Sequence, residues 1–178
     1  MSNYDDAAAV LLRDGVVVLR TDTIYGVVAR AADERAVQRV YDIKGRTPTK
    51  SPIVLIDSYA DMFDAYNAQT HEILDRYWPG PVSIIVPATN APDWITRGNA
   101  SVAYRMPAHD ELRKLIQKTG PLIAPSANPE GQSPAMNITE AQNYFGEKID
   151  TYIDGGEVTN PKPSTLYLLS GDTLEQLR

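Results

Sequence analysis

Val16-Val17-Val18-Leu19 sets the pattern of the chain: a short apolar, β-branched run that breaks off into polar Arg20-Thr21-Asp22-Thr23. A run of that length suits a buried strand and is too short for a buried helix. Similar runs recur near Val27-Val28-Ala29 and at Pro52–Ile56, Val82–Val86, Ser101–Arg105, Leu122–Ala124, Thr151–Ile153 and Thr165–Leu169. Between them lie segments with helical spacing. From about Asp33 to Ile43, residues Ala36, Val37, Val40 and Tyr41 form one apolar face. Further helices are expected behind an Asn3 cap through Ala7, Val10 and Leu11 with a stop at Gly15, near Tyr59–Phe63, over Gln69–Tyr77 up to Trp78-Pro79-Gly80-Pro81, and over Glu111–Lys118 and Thr139–Phe145. Strands and helices mixed throughout predict an α/β fold, a mixed sheet with flanking helices, in a single domain over 1–178.

Composition narrows the chemistry. The chain has no Cys, which removes disulfides, thiolate metal sites and cysteine nucleophiles, and only 2 His, His71 and His109, which makes a dedicated zinc site improbable. A formal net charge of −6 argues against a broad basic surface that coats nucleic acid. No apolar stretch reaches the ~20 residues of a membrane span, and acidic Met-Ser-Asn-Tyr-Asp-Asp stands where a signal peptide would be basic, so a cytoplasmic location is expected.

Three polar clusters lie just beyond strand runs or between elements, where open α/β sheets place ligands. The first is Arg20-Thr21-Asp22-Thr23-Ile24-Tyr25-Gly26, which could equally be a capped turn. The second is Lys44-Gly45-Arg46-Thr47-Pro48-Thr49-Lys50-Ser51-Pro52, whose cations suit a polyphosphate or simply face solvent. It is not a P-loop, because Thr49 stands where that loop needs a glycine and a helix precedes it. The third is Pro121-Leu122-Ile123-Ala124-Pro125-Ser126-Ala127-Asn128-Pro129-Glu130-Gly131, where Ser126 and Asn128 offer a hydroxyl and an amide for phosphate or ribose, or form a plain turn. Ser126 lacks the setting of a nucleophile elbow. Arg105, at a strand end before Met106-Pro107, can hold a carboxylate in two bonds or make a surface ion pair. His109 reads as a helix-start or packing residue, Trp78-Pro79-Gly80-Pro81 as a corner, Asp154-Gly155-Gly156 as a turn, and Ser164-Thr165 as turn or ligand contact.

Taken in order, Thr21-Asp22-Thr23-Ile24-Tyr25-Gly26, Lys44-Gly45-Arg46, Trp78-Pro79-Gly80-Pro81, Arg105-Met106-Pro107, Ser126-Ala127-Asn128 and Ser164-Thr165 resemble the YrdC/YciO-type family of L-threonylcarbamoyladenylate synthases, over roughly residues 8 to 178. The resemblance implies a twisted mixed sheet around a large concave, positively lined pocket. It implies an enzyme that joins L-threonine, bicarbonate and ATP into threonylcarbamoyl-AMP, releases pyrophosphate, and supplies partner proteins that transfer the threonylcarbamoyl group to tRNA. Lys44, Arg46, Ser126, Asn128 and, more weakly, Ser164 would then contact ATP. Thr23 and Arg105 would hold threonine, with Lys50 beside them, and Tyr25 would wall the pocket. Lys44 and Arg46 would act electrostatically, with no certain catalytic side chain. Mg2+ would accompany ATP without a protein site of its own. The chain departs from the family pattern in a loop from Lys44 to Pro52 one residue longer, in Glu130 where a small residue is common, and in ending at an arginine, Arg178, that short members follow with a few more residues. Those departures keep open a paralogue with another main substrate, and the basic cavity keeps open an RNA-binding module or weak RNA binding.

Overall fold

The computed structural model describes residues 3–178. Its elements run α1 (Asn3–Leu11), β1 (Val17–Arg20), β2 (Tyr25–Arg30), α2 (Glu34–Lys44), β3 (Ile53–Leu55), α3 (Ala68–Leu74), β4 (Val82–Pro87), α4 (Asp93–Thr96), β5 (Ser101–Arg105), α5 (Asp110–Thr119), β6 (Leu122–Ile123), α6 (Ile138–Phe145), β7 (Thr151–Tyr152), β8 (Thr165–Ser170) and β9 (Thr173–Gln176). The strands form one nine-stranded sheet in the order β7-β1-β2-β6-β3-β5-β4-β8-β9. It is mixed: β1 with β7, β3 with β5 and β4 with β8 are parallel, and the remaining neighbours are antiparallel.

Strand alternation sorts the side chains into two cores, because successive residues of a strand point to opposite faces. Val18, Val27, Ala29, Val54, Ile84, Val86, Val102, Tyr104 and Ile123 pack on one face against Val37, Val40 and Tyr41 of α2, Ile73 and Leu74 of α3, Ile95 of α4, and Ala141 and Phe145 of α6. On the other face Val17, Leu19, Val28, Leu55 and Leu122 meet Ala7, Ala8 and Leu11 of α1 and Leu112, Leu115 and Ile116 of α5. That second layer stops part-way across the sheet. At its edge Ile53 packs against that layer, and beyond it Ile85, Ser101, Ala103 and Leu166 join Ile53 in lining an open groove.

Local chemistry explains the helix ends. The Asp33 carboxylate accepts the Ala36 N–H at 2.7 Å to start α2, and Gly45 ends it at φ 60°, a left-handed turn that costs glycine nothing. The His109 Nδ1 accepts the Leu112 N–H at 3.2 Å and caps α5, the helix-start role expected of it. The cap expected of Asn3 falls outside the described side chains.

The structure differs from the sequence expectation in a few elements. Tyr59–Phe63 shortens to a single 3-10 turn, Tyr59–Asp61, because Met62 already leaves helical geometry at φ −76°, ψ 146°, and the Phe63 N–H is taken by the Tyr104 hydroxyl at 3.0 Å. The helix expected over Gln69–Tyr77 ends at Leu74, where Tyr77 and Trp78 fold their N–H groups back onto the Leu74 carbonyl. α4 and β9 were not expected; one is a single turn, and the other is an exposed edge strand without an apolar pattern.

Candidate functional site

A cavity of about 260 Å³ opens beside the uncovered sheet face. Its wall combines the β1–β2 loop (Thr21, Thr23, Ile24), Tyr25 at the start of β2, Arg46 just after α2, Arg105 at the end of β5, Ala124-Pro125-Ser126 after β6, Ser164 before β8, and Arg178. A second cavity of about 350 Å³ continues along the sheet over Ile53, Ile85, Ser101, Ala103 and Leu166, with Lys50, Ser51 and Asn99 on its rim. Arg46, Ile53 and Arg178 belong to both, so the two form one groove with cations at the waist.

The inner end is organised by hydroxyls. Thr21 has one hydroxyl proton and donates it to the Ile24 carbonyl at 2.8 Å. The 3.0 Å contact between the Thr21 and Thr23 hydroxyls must therefore run from Thr23 to Thr21. Thr23 is left with oxygen lone pairs, an acceptor for a ligand's N–H or O–H. Tyr25 is held equally firmly: its hydroxyl donates to the Gly156 carbonyl at 2.8 Å and accepts the Gly155 N–H at 2.9 Å. The expected Asp154-Gly155-Gly156 turn thus backs the pocket wall. Gly155 also sits where a Cβ would come within 2.6 Å of the Arg20 Cβ, so the turn closes only on a glycine.

Arg105 is 4% exposed, so of its two sequence readings, a carboxylate holder or a surface ion pair, the surface pair falls away. Its Nη2 lies 3.2 Å from the Asp22 carboxylate and 3.4 Å from the Thr21 hydroxyl. Burial lowers its pKa and Asp22 counters the effect. Its Nε has no partner among the described residues. A buried guanidinium with an unmatched donor is a costly arrangement that an anionic ligand would complete.

The expected site residues separate into three groups. Thr23, Tyr25, Arg46, Arg105, Ser126 and Ser164 come together around the first cavity. Lys44 and Asn128 do not reach it. Lys44 is 4% exposed and its Nζ donates back to the Ser126 and Asn128 carbonyls, while burial, and secondarily Arg46, bring its pKa down to about 7. Asn128 accepts the Ser126 hydroxyl at 2.6 Å and donates to the Pro129 and Gln132 carbonyls. Both residues shape the turn from inside, because the helix that carries Lys44 packs directly under it. Lys50, expected beside threonine, stands instead on the rim of the second cavity and pairs with Glu130.

Ser126 faces the cavity with its proton committed to Asn128, an amide that is no base, so its hydroxyl bonds no activating base among the described residues. Ser164 bonds the Ser83 hydroxyl at 2.8 Å, and its carbonyl receives Arg178 at 3.1 Å. Thr21 and Arg178 had no role assigned from sequence. The signal for Thr21 was its place in the threonine-rich turn; Arg178 gave only a positional match, and its approach depends on the β8–β9 hairpin.

Comparison with known proteins places this arrangement. The profile of the Sua5/YciO/YrdC family, described as telomere recombination, matches residues 9–178. A Pyrococcus abyssi protein named threonylcarbamoyl-AMP synthase is 37% identical over 167 residues, covering 89% of this chain and 48% of its own length. One of the same name from Stutzerimonas stutzeri is 34% identical over 173 residues, covering 94% of this chain and 93% of its own. The solved structure of P. abyssi Sua5 complexed with L-threonine superposes with a TM-score of 0.90 at 32% identity, covering 100% of this chain and 54% of that one. The chain therefore spans about half of the archaeal protein and nearly all of the bacterial one. On the profile match and these relatives together, the chain belongs to the Sua5/YciO/YrdC family.

Proposed function

We propose that this protein is a threonylcarbamoyl-AMP synthase, an enzyme that condenses L-threonine, bicarbonate and ATP and releases pyrophosphate. The observation that carries the reading is Arg105: a buried guanidinium with an unpartnered donor, beside a Thr23 hydroxyl left as an acceptor. A carboxylate flanked by an amine and a hydroxyl is the ligand that satisfies both at once. The likeness of the chain to a protein solved with L-threonine supports the same assignment.

The groove accommodates the chemistry in sequence. The threonine amine combines with bicarbonate to give an N-carboxylate and water. One oxygen of that carbamate attacks the α-phosphorus of ATP, the bond from α-phosphorus to the bridging oxygen breaks, and pyrophosphate leaves with both electrons. Such a displacement is served by positioning and charge neutralisation and needs no protein nucleophile. Arg46 and Arg178, at the waist between the cavities, stand where the phosphates would lie, and the apolar floor of Ile53, Ile85, Ala103 and Leu166 offers a bed for the nucleoside. Ser126, with its proton already given to Asn128, presents an acceptor to the first cavity. Burial of the carbamate between Thr23 and Arg105 would shield it from water.

Magnesium is assigned to the triphosphate. The carboxylates nearest the groove, Asp22 and Glu130, are already engaged by Arg105 and Lys50, which does not fit a dedicated metal site. The adenylate would pass to proteins that load tRNA in the cytoplasm. No helix among the described residues is long and apolar enough to cross a membrane. The deciding experiment incubates the protein with ATP, bicarbonate and labelled L-threonine. Pyrophosphate and a labelled adenylate should form together, and omission of any substrate should stop both. Equal pyrophosphate without threonine would refute the proposal.

A further inference from the structure

The loop after α2 gathers its donors onto a carboxylate of the protein itself. Thr47 directs both its backbone N–H and its hydroxyl at Glu130, the hydroxyl lying 3.0 Å from each oxygen, and the Lys50 ammonium closes on the same group. Adjacent backbone and side-chain donors beside a cation are what binds a phosphate elsewhere. Here Glu130 fills the position. Lys50 and Thr47 pull its carboxyl down to about 2, so it is an anion at any working pH.

The loop does not need Glu130 to keep its shape. The Arg46 guanidinium donates to the Ser51 carbonyl at 3.1 Å and the Lys50 carbonyl at 3.3 Å, and the Tyr41 hydroxyl donates to that Lys50 carbonyl at 2.6 Å. Asn99 Nδ2 reaches the Ser51 hydroxyl at 2.9 Å, which itself donates to the Thr96 carbonyl at 2.7 Å. None of these bonds involves the Glu130 carboxylate. Glu130 is also fixed independently, its N–H on the Lys44 carbonyl at 2.8 Å. The Glu130 segment is thus tied to the end of α2 by Lys44, and it meets the 46–51 loop itself through the Glu130 carboxylate. Thr47 follows Arg46 in the chain and Lys50 stands on the rim of the second cavity, so that contact lies at the edge of the groove.

We propose that Thr47 and Lys50 form a cradle for the pyrophosphoryl end of the nucleotide, and that Glu130 is a built-in competitor that reoccupies the cradle and drives pyrophosphate out. The inference rests on the synthase reading for the identity of the anion. A competing carboxylate weakens every anion that needs the cradle. Its effect is greatest on pyrophosphate, which has no nucleoside to hold it in the groove.

The test measures binding of pyrophosphate, AMP and L-threonine to the whole chain by calorimetry, without turnover. Glu130→Ser and Glu130→Gln should each bind pyrophosphate about tenfold more tightly than the unmodified protein, the scale of one charge-assisted hydrogen bond. AMP and threonine should change less than about twofold, well below that scale. Adding Lys50→Ala to Glu130→Ser should abolish the gain. Unchanged or weaker pyrophosphate binding in the folded Glu130 variants would overturn the proposal and make Glu130 a strut, and a gain that survives Lys50→Ala would place the anion elsewhere. An unmodified protein that makes no adenylate while the variants still tighten on pyrophosphate would overturn the synthase reading and leave the cradle standing.

Discussion

On the proposed synthase reading, Thr23 and Arg105 divide the recognition of threonine between a lone pair and a fork of donors. Thr23→Val keeps the shape and removes the acceptor, leaving a ligand donor unmatched at a cost of about 1–3 kcal/mol. Arg105→Lys keeps the charge and loses the planar fork. Both should raise the threonine concentration needed for half-maximal rate by about tenfold or more, on that scale, with ATP binding measured without threonine nearly unchanged; steady-state kinetics and nucleotide titration check the split. Lys44 makes a different prediction. Its amine titrates near 10.5 in an unfolded chain and at about 7 in the fold. Between those values the unfolded chain binds the extra proton, so stability rises with pH across the window. The urea midpoint of the unmodified protein should therefore climb from pH 7 to pH 9.5, and Lys44→Met should flatten the climb.

At the scale of elements, the 46–51 loop is held in place by its neighbours' side chains. Tyr41 belongs to the apolar face of α2, yet its hydroxyl reaches the Lys50 carbonyl while its ring carries Arg97 at 3.8 Å. Tyr41→Phe keeps the packing and deletes the tether, so it should cost about 1 kcal/mol and speed trypsin cleavage after Arg46 and Lys50. A time course of limited digestion reads this directly. The sequence made the strand-and-helix alternation legible because apolar period and capping residues are local properties: Asp33, Gly45 and His109 behave as their types suggest. The motif residues were legible as a set but not in their orientation. Lys44 and Asn128 turn inward and Arg46 turns outward for reasons of packing between α2 and the turn after β6, which are far apart in sequence. The exposed β9 lacked the alternation that marks a half-buried strand, and Arg178 could not be placed at the groove without it.

Across the whole molecule, one face of the sheet carries the larger core and the other is covered only as far as β3, so β4 and β5 each turn one face to a core and the other to the groove. Ile84 is fully buried in the larger core, whereas its neighbour Ile85 lines the groove. Ile84→Ala should cost about 2–5 kcal/mol, as large-to-small changes in a core do. Ile85→Ala should cost much less and instead weaken adenosine binding; thermal unfolding and nucleotide titration of the pair would show the crossover. The same strand registers assign Val102 and Tyr104 to the core and leave Ser101, Ala103 and Arg105 lining the cavities. Structural and recognition duties thus alternate residue by residue along one backbone. Substitutions confined to the ligand-facing positions can change what the groove accepts while the adjacent positions keep the chain folded. Such a sheet can acquire new specificities in single steps, each selected on binding alone, without passing through an unfolded intermediate sequence.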